Sequence, residues 1–272
     1  MVTGTTECAW VLVPAFAQPE YRHVELVGCI GITPQGQLVR LYPWRFRDLR
    51  PEQRFACGDL IEYDTDAPGD DLRPETRYVD TRSVRVVQAA AYLTPQQHLQ
   101  LWAQAPCVPM ADLQQAHLTD GTSLGVVRPD AGSLRLHLNP MDGSPRHRLL
   151  QEAFRQVGRA MHPTLARHPV EMEMSYRFTS AGHAHALRLL EGQAQASCLR
   201  HLRRHADPIE AQRQLRLKYE QRLPALDLRL VVSTLRDPSH EFAVVGLLCN
   251  GTSLEQATRA APVRRMPQPA AH

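Results

Sequence analysis

Residues 40–47 read Arg-Leu-Tyr-Pro-Trp-Arg-Phe-Arg, with aromatic rings and fixed positive charges side by side. Tyr42, Trp44 or Phe46 could stack a base while Arg40, Arg45 and Arg47 hold phosphates, each stacked base contributing roughly 1–3 kcal/mol. The tract also suits the bottom of a small barrel, with Trp44 and Phe46 as the plug and the arginines reaching outward. Residues 72–78 add Arg73 and Arg77 beside Glu75, behind a loop carrying Asp64, Asp66, Asp70 and Asp71. The two arginines could clamp a phosphate, although acids and bases alternating this closely favour pairing with one another. The loop carboxylates could hold a divalent ion, with Glu75 or Glu191 assisting an enzyme that acts on nucleic acid or a nucleotide. The spacing lacks the late bidentate Glu of an EF-hand loop. A third cluster is Arg200, Arg203 and Arg204, followed by Arg213 and Arg216, a basic face for nucleic acid or for an acidic protein. His201 and His205 stand four apart and His183 and His185 two apart, which is ligand-like spacing, but the arginines around the first pair oppose a nearby dication. The chain has no C-x-x-C, H-E-x-x-H, G-x-S-x-G, Walker or G-x-G-x-x-G pattern. No catalytic set, metal site or cofactor is expected.

The totals narrow the class. Of 272 residues, 43% are hydrophobic and 22% charged, the composition of a globular protein with a real core. The net charge is +3 from 31 basic and 28 acidic residues, and Lys218 is the single lysine. A charge so small excludes a protein that coats nucleic acid everywhere, so any contact must be local. Arginine, being planar and bidentate, suits phosphate better than lysine would. The six cysteines are scattered and mostly in apolar segments, which points to free thiols. With no long apolar run and no basic, apolar leader, the expectation is a cytoplasmic protein with no membrane partner.

These residues need elements to position them. Residues 9–15, 23–33, 37–42, 59–63 and 78–90 read as short strands divided by Gly, Pro and Asp clusters, the spacing of a small barrel. A phase shift at Ser83 suggests a bulge in the last strand. Thr94 and Pro95 open a helix to about residue 104, and a second is expected over 106–115. Asp120-Gly121 reads as a turn, with strands at 123–128 and 133–138. Ser144 caps a helix over 144–161 with an apolar stripe of Leu149, Leu150, Ala153, Phe154 and Val157. Strict alternation over 170–179 predicts a half-buried strand. Helices over 187–205 and 208–222 and strands over 227–234 and 241–249 complete the reading.

Several blocks together resemble an uncharacterised bacterial protein family. They are Cys29-Ile30-Gly31-Ile32 through Gly36 to Val39-Arg40-Leu41-Tyr42-Pro43, then Phe46-Arg47-Asp48-Leu49. Next come Leu72-Arg73-Pro74-Glu75-Thr76-Arg77-Tyr78 and Ser123-Leu124-Gly125-Val126-Val127-Arg128-Pro129. Tyr176-Arg177-Phe178 and residues 242–247 close the set, which covers nearly the whole chain. The resemblance implies an OB- or PUA-like small barrel in the N-terminal half, a shape often used to hold nucleic acid. Where that family has Asp-Trp-Glu, Leu189-Leu190-Glu191 stands here, which argues against an acidic active site at that point.

The sequence therefore predicts an α+β protein. An OB/PUA-like β-barrel occupies 1–90, a mixed connecting region 91–143, a strand–helix–helix–strand α+β part 144–250, and a tail 251–272. The expected function is non-catalytic nucleic-acid binding within a larger complex, through Arg40, Tyr42, Trp44, Arg45, Phe46, Arg47, Arg73 and Arg77, with Arg200, Arg203 and Arg204 as a second surface. The rivals are the metal-dependent enzyme and a protein-interaction scaffold using 200–216.

Overall fold

A computed structural model describes residues 5–18, 27–43, 49–67, 69–235 and 241–249. The first sheet has six strands: β1 (Thr6–Ala17), β2 (Val27–Ile32), β3 (Leu38–Tyr42), β4 (Leu60–Asp64), β5 (Thr76–Tyr78) and β6 (Arg85–Gln88), in the order β5-β3-β2-β1-β4-β6. It curls like half a barrel. The curl brings Thr65, just past β4, against Val79, just past β5, and the Asp66 amide donates to the Tyr78 carbonyl at 2.7 Å. Inside the curl lie Val11, Cys29, Val39, Leu41, Phe55, Ile61 and Tyr63. The strand expected over 78–90 is instead two short ones. Asp80 accepts from the Arg82 amide and Ser83 donates its amide to the Asp80 carbonyl, and this side-chain-stabilised turn breaks the ladder.

Helix α1 (Pro95–Gln104) starts as predicted, with Thr94 and Gln97 forming a capping box. Helix α2 is Met110–Asp120, later than expected. Residues 107 and 108 are held extended against Val126, and the expected Asp120-Gly121 turn is the left-handed end of this helix.

The second sheet contains β7 (Leu124–Val127), β8 (Arg135–Pro140), β9 (Met172–Ser180), β10 (His183–Leu189), β11 (Arg229–Thr234) and β12 (Phe242–Leu248), in the order β7-β11-β12-β10-β9-β8. Two of its strands thus come from the stretch read as a connector. Only β10 and β12 run parallel; the other pairs are antiparallel. Helices α3 (Pro145–Ala160) and α4 (Pro163–Arg167) precede β9, and α5 (Gly192–Arg204) and α6 (Pro208–Arg216) follow β10, with one π-helical stretch over Leu217–Arg222.

The helix expected over 187–205 needs correction. Ala, Leu and Arg are good helix formers, but Ala181 and Gly182, both at positive φ, make a two-residue hairpin that folds 183–189 back onto β9. Pairing overrides propensity there, and α5 begins only at Gly192.

The two sheets share one core. Leu12, Phe16 and Ile30 of the first meet Val126, Val231 and Val245 of the second, and Phe154 of α3 and Leu199 of α5 pack against the same cluster. Central strand β12 is buried on both faces and comes so close to β1 that a Cβ on Gly246 would lie 2.3 Å from Val13. Such continuous apolar strands are those covered from both sides.

Candidate functional site

Residues of β3 alternate. Val39 and Leu41 enter the curl, while Arg40 points to the seam with the second sheet and is fully buried. Its Nη2 donates to Ser123 Oγ (3.0 Å), the Ser123 carbonyl (3.3 Å) and Ser233 Oγ (2.8 Å), and its Nη1 donates to Thr76 Oγ1 (3.2 Å). Glu75 completes the knot. Its Oε2 is 4.0 Å from Arg40 Nη1, and its two oxygens accept from the amide and hydroxyl of Ser123 at 2.8 and 2.6 Å. A buried guanidinium is tolerable because its Nη1 and Nη2 donors find acceptors and a counter-charge.

Arg73 is built in the same way. It binds Asp71 in two places (2.8 and 2.6 Å) and donates to the carbonyl of Thr234 on β11 at 2.6 Å. Burial pushes the Asp71 carboxyl up, but the Arg73 hydrogen bonds and charge outweigh that and hold it below the usual aspartate range. Arg40 and Arg73 therefore fasten one sheet to the other. Both side chains, expected at a contact surface, are turned to internal pairs, Arg40 fully buried and Arg73 with 12% of its side chain exposed.

The remaining predicted residues separate. Tyr42 is buried edge-on to Tyr78, ring centres 5.9 Å apart. Arg77 is partly exposed, 3.5 Å from Glu7, and donates to the carbonyls of Pro74 and Thr76. Trp44, Arg45, Phe46 and Arg47 lie outside the described residues. The acidic loop turns inward on Tyr78, whose hydroxyl receives the Asp71 amide and donates to Asp70 at 3.3 Å. Asp64 accepts from Thr6 at 2.6 Å. Among the described residues no group of three or more His, Cys, Asp or Glu is arranged to hold a metal ion.

Helix α5 presents the other predicted cluster. Glu191 caps it, accepting from the Gln193 and Ala194 amides, and Ala196, Cys198 and Leu199 anchor its buried side. Arg200, Arg203 and Arg204 emerge exposed at its C-terminal end, where the helix dipole favours cations. Positions three and four apart lie on one face, so the three guanidinium groups form one stripe. Nearby acids are engaged elsewhere. Glu210 binds Arg213 at 2.7 Å, and Glu220 accepts from the Leu136 amide at 2.8 Å. His201 stacks on His205, rings 6.2 Å apart, and burial together with the Lys218, His205 and Arg200 charges lowers its pKa despite its bond to the Ser197 carbonyl.

A family model matches residues 6–103: a domain of unknown function, DUF8758. No curated protein matches the chain. The matched span takes in the whole first sheet and nearly all of α1, so the unit ends where Leu101 and Trp102 close the shared core.

Thr76 and Ser123 stand in the blocks that carry the resemblance, but no sequence signal marks them, or Ser233 and Thr234, as partners of the two arginines. A signal existed for Arg40. On a strand, Leu38 and Tyr42 share its face, and with Val39 and Leu41 opposite, neither face is polar. An arginine in such a strand belongs to an interior seam.

Proposed function

We propose that the protein binds nucleic acid without catalysing a reaction on it, as a subunit of a larger complex, and that its phosphate contact is the α5 stripe of Arg200, Arg203 and Arg204. The observation that carries this reading is three exposed arginines on one helical face with no acidic ion-pair partner among the described residues. Guanidinium groups in that arrangement suit the oxygens of a sugar–phosphate backbone. On this reading the curled first sheet is an OB- or PUA-like barrel. The non-catalytic part is supported by the thiols: burial pushes Cys198 and Cys249 up to about 12, far from an activated thiolate.

Anisotropy titrations with single-stranded DNA, RNA and duplex DNA across a salt series test the proposal. Binding should weaken steeply with salt, and the Arg200→Ala/Arg203→Ala/Arg204→Ala variant should flatten the log–log slope by about 2–3. Failure to bind any of the three at low salt would sink it. Equal binding of poly-glutamate would transfer the same stripe to an acidic protein partner.

A further inference from the structure

Where the two sheets meet the helices there is a cavity of about 340 Å³, within the size range of small-molecule sites. Its walls come from β1, the loop before β4, α1, the α3–α4 junction, the start of α5 and the end of β12. Most of the lining is apolar, including Pro14, Trp102 and Met161. The polar groups are His162, Glu191 and Gln193, with the thiols of Cys57 and Cys249. No arginine or lysine lines it. Lys218 lies behind the wall, where its charge reaches Glu191 and Cys249. On the wall itself, among the described residues, the only charged side chain that carries a fixed sign is the Glu191 carboxylate, so the lining favours a neutral or cationic guest over an anion.

Glu191 gives that guest a defined partner. Its Oε1 accepts from the Gln193 amide at 2.9 Å and its Oε2 from the Ala194 amide at 2.5 Å. A carboxylate offers about four lone-pair sites, so each oxygen keeps one, and the two capping bonds fix the group before any ligand arrives. Glu191 lines the cavity together with Cys57 and Cys249, and its charge helps raise both thiols. Burial and neighbouring acids push Cys57 up to about 12, and Cys57 donates to the Leu12 carbonyl at 3.2 Å, so the thiols act as neutral lining. We propose that this cavity binds a planar group carrying two adjacent N–H donors, read in bidentate fashion by Glu191, with Trp102 and Met161 against its faces. A guanine edge and a free guanidinium compound share that chemistry. The proposal does not depend on nucleic-acid binding at α5, because neither probe needs a phosphate.

The full chain is titrated with guanosine and with methylguanidine by calorimetry and ligand-observed NMR. Saturable binding of either is expected, weakened at least tenfold in Glu191→Gln and in Met161→Trp, which fills the cavity. Guanosine alone would identify a nucleobase as the guest, and methylguanidine alone a guanidinium compound. On unmodified protein, the bound probe should slow alkylation of Cys57 and Cys249 but not of exposed Cys107, a measurement that needs no variant to fold. No saturable binding of either probe up to about 10 mM overturns the proposal, since that limit corresponds to weaker than about −3 kcal/mol. So does binding that Glu191→Gln leaves intact, or binding without thiol protection.

Discussion

Replacing Arg40 by alanine tests the seam directly. The side chain is fully buried and makes four hydrogen bonds to Thr76, Ser123 and Ser233, with Glu75 as its counter-charge. Hydrogen bonds to charged groups contribute roughly 1.5–3 kcal/mol each, but the hydroxyls can turn to other partners and the simple sum overshoots. The decisive element is Glu75, whose side chain is only 13% exposed and would be left without its cation. Removing one partner of a buried pair costs about 3–5 kcal/mol, a third or more of the total stability of many proteins. Urea unfolding followed by circular dichroism should show that loss as a lower midpoint at unchanged slope. Arg40→Met with Glu75→Gln removes both charges and keeps volume, so the double variant should recover most of the loss. A loss below about 1 kcal/mol for Arg40→Ala would refute the buried knot. So would normal stability combined with a salt slope for nucleic acid shallower by about 1, which would put Arg40 on the contact surface instead.

Other outcomes follow from the same geometry. Asp71 has a depressed pKa in the folded state, so its stabilisation is present above the unfolded value near 3.9 and fades as pH falls through the lower, folded one; Asp71→Asn should be less stable at neutral pH and lose that acid-side dependence in melts at pH 2–6. Gly158→Ala would bring a Cβ within 2.2 Å of the Ala166 backbone nitrogen, and calorimetry should record a cost of about 1–3 kcal/mol from forcing α3 off α4. Phe154→Ala should cost about 3–5 kcal/mol. Because Phe154 packs on residues of both sheets, near-UV and far-UV transitions of that variant should stay coincident; separate transitions would refute a shared core.

Much of the fold was legible because local signals agreed with the tertiary outcome. Ser144-Pro145 and Thr94-Pro95 start their helices where the capping chemistry predicts, and the alternation of Met172, Met174, Tyr176 and Phe178 gives β9. The failures lie where long-range pairing decides. Residues 183–189 carry helix-forming composition yet take their state from β9 and β12, and the 78–90 strand is cut by a single Asx turn. The candidate site was legible in type but not in place. The close alternation at 72–78 correctly suggested internal pairing of Arg73, whereas Arg40 was read by its aromatic neighbours in sequence. Its actual partners lie 83 and 193 residues away, at Ser123 and Ser233, a separation that no local pattern reports.

The position of β12 has a consequence for how the chain is made. In the second sheet the order β7-β11-β12-β10-β9-β8 puts the last described strand in the middle. Until residues 242–248 leave the ribosome, β11 with β7 and β10 with β9 and β8 are two separate ribbons, each with an unpaired inner edge. Those edges are apolar and open to other chains. One strand, synthesised late, joins both ribbons and closes against β1 from the start of the chain. A stalled product ending before residue 242 would have neither a complete second sheet nor a sealed seam. Such fragments should be the species that chaperones hold and proteases clear, because β10 and β11 keep unpaired inner edges until β12 joins them.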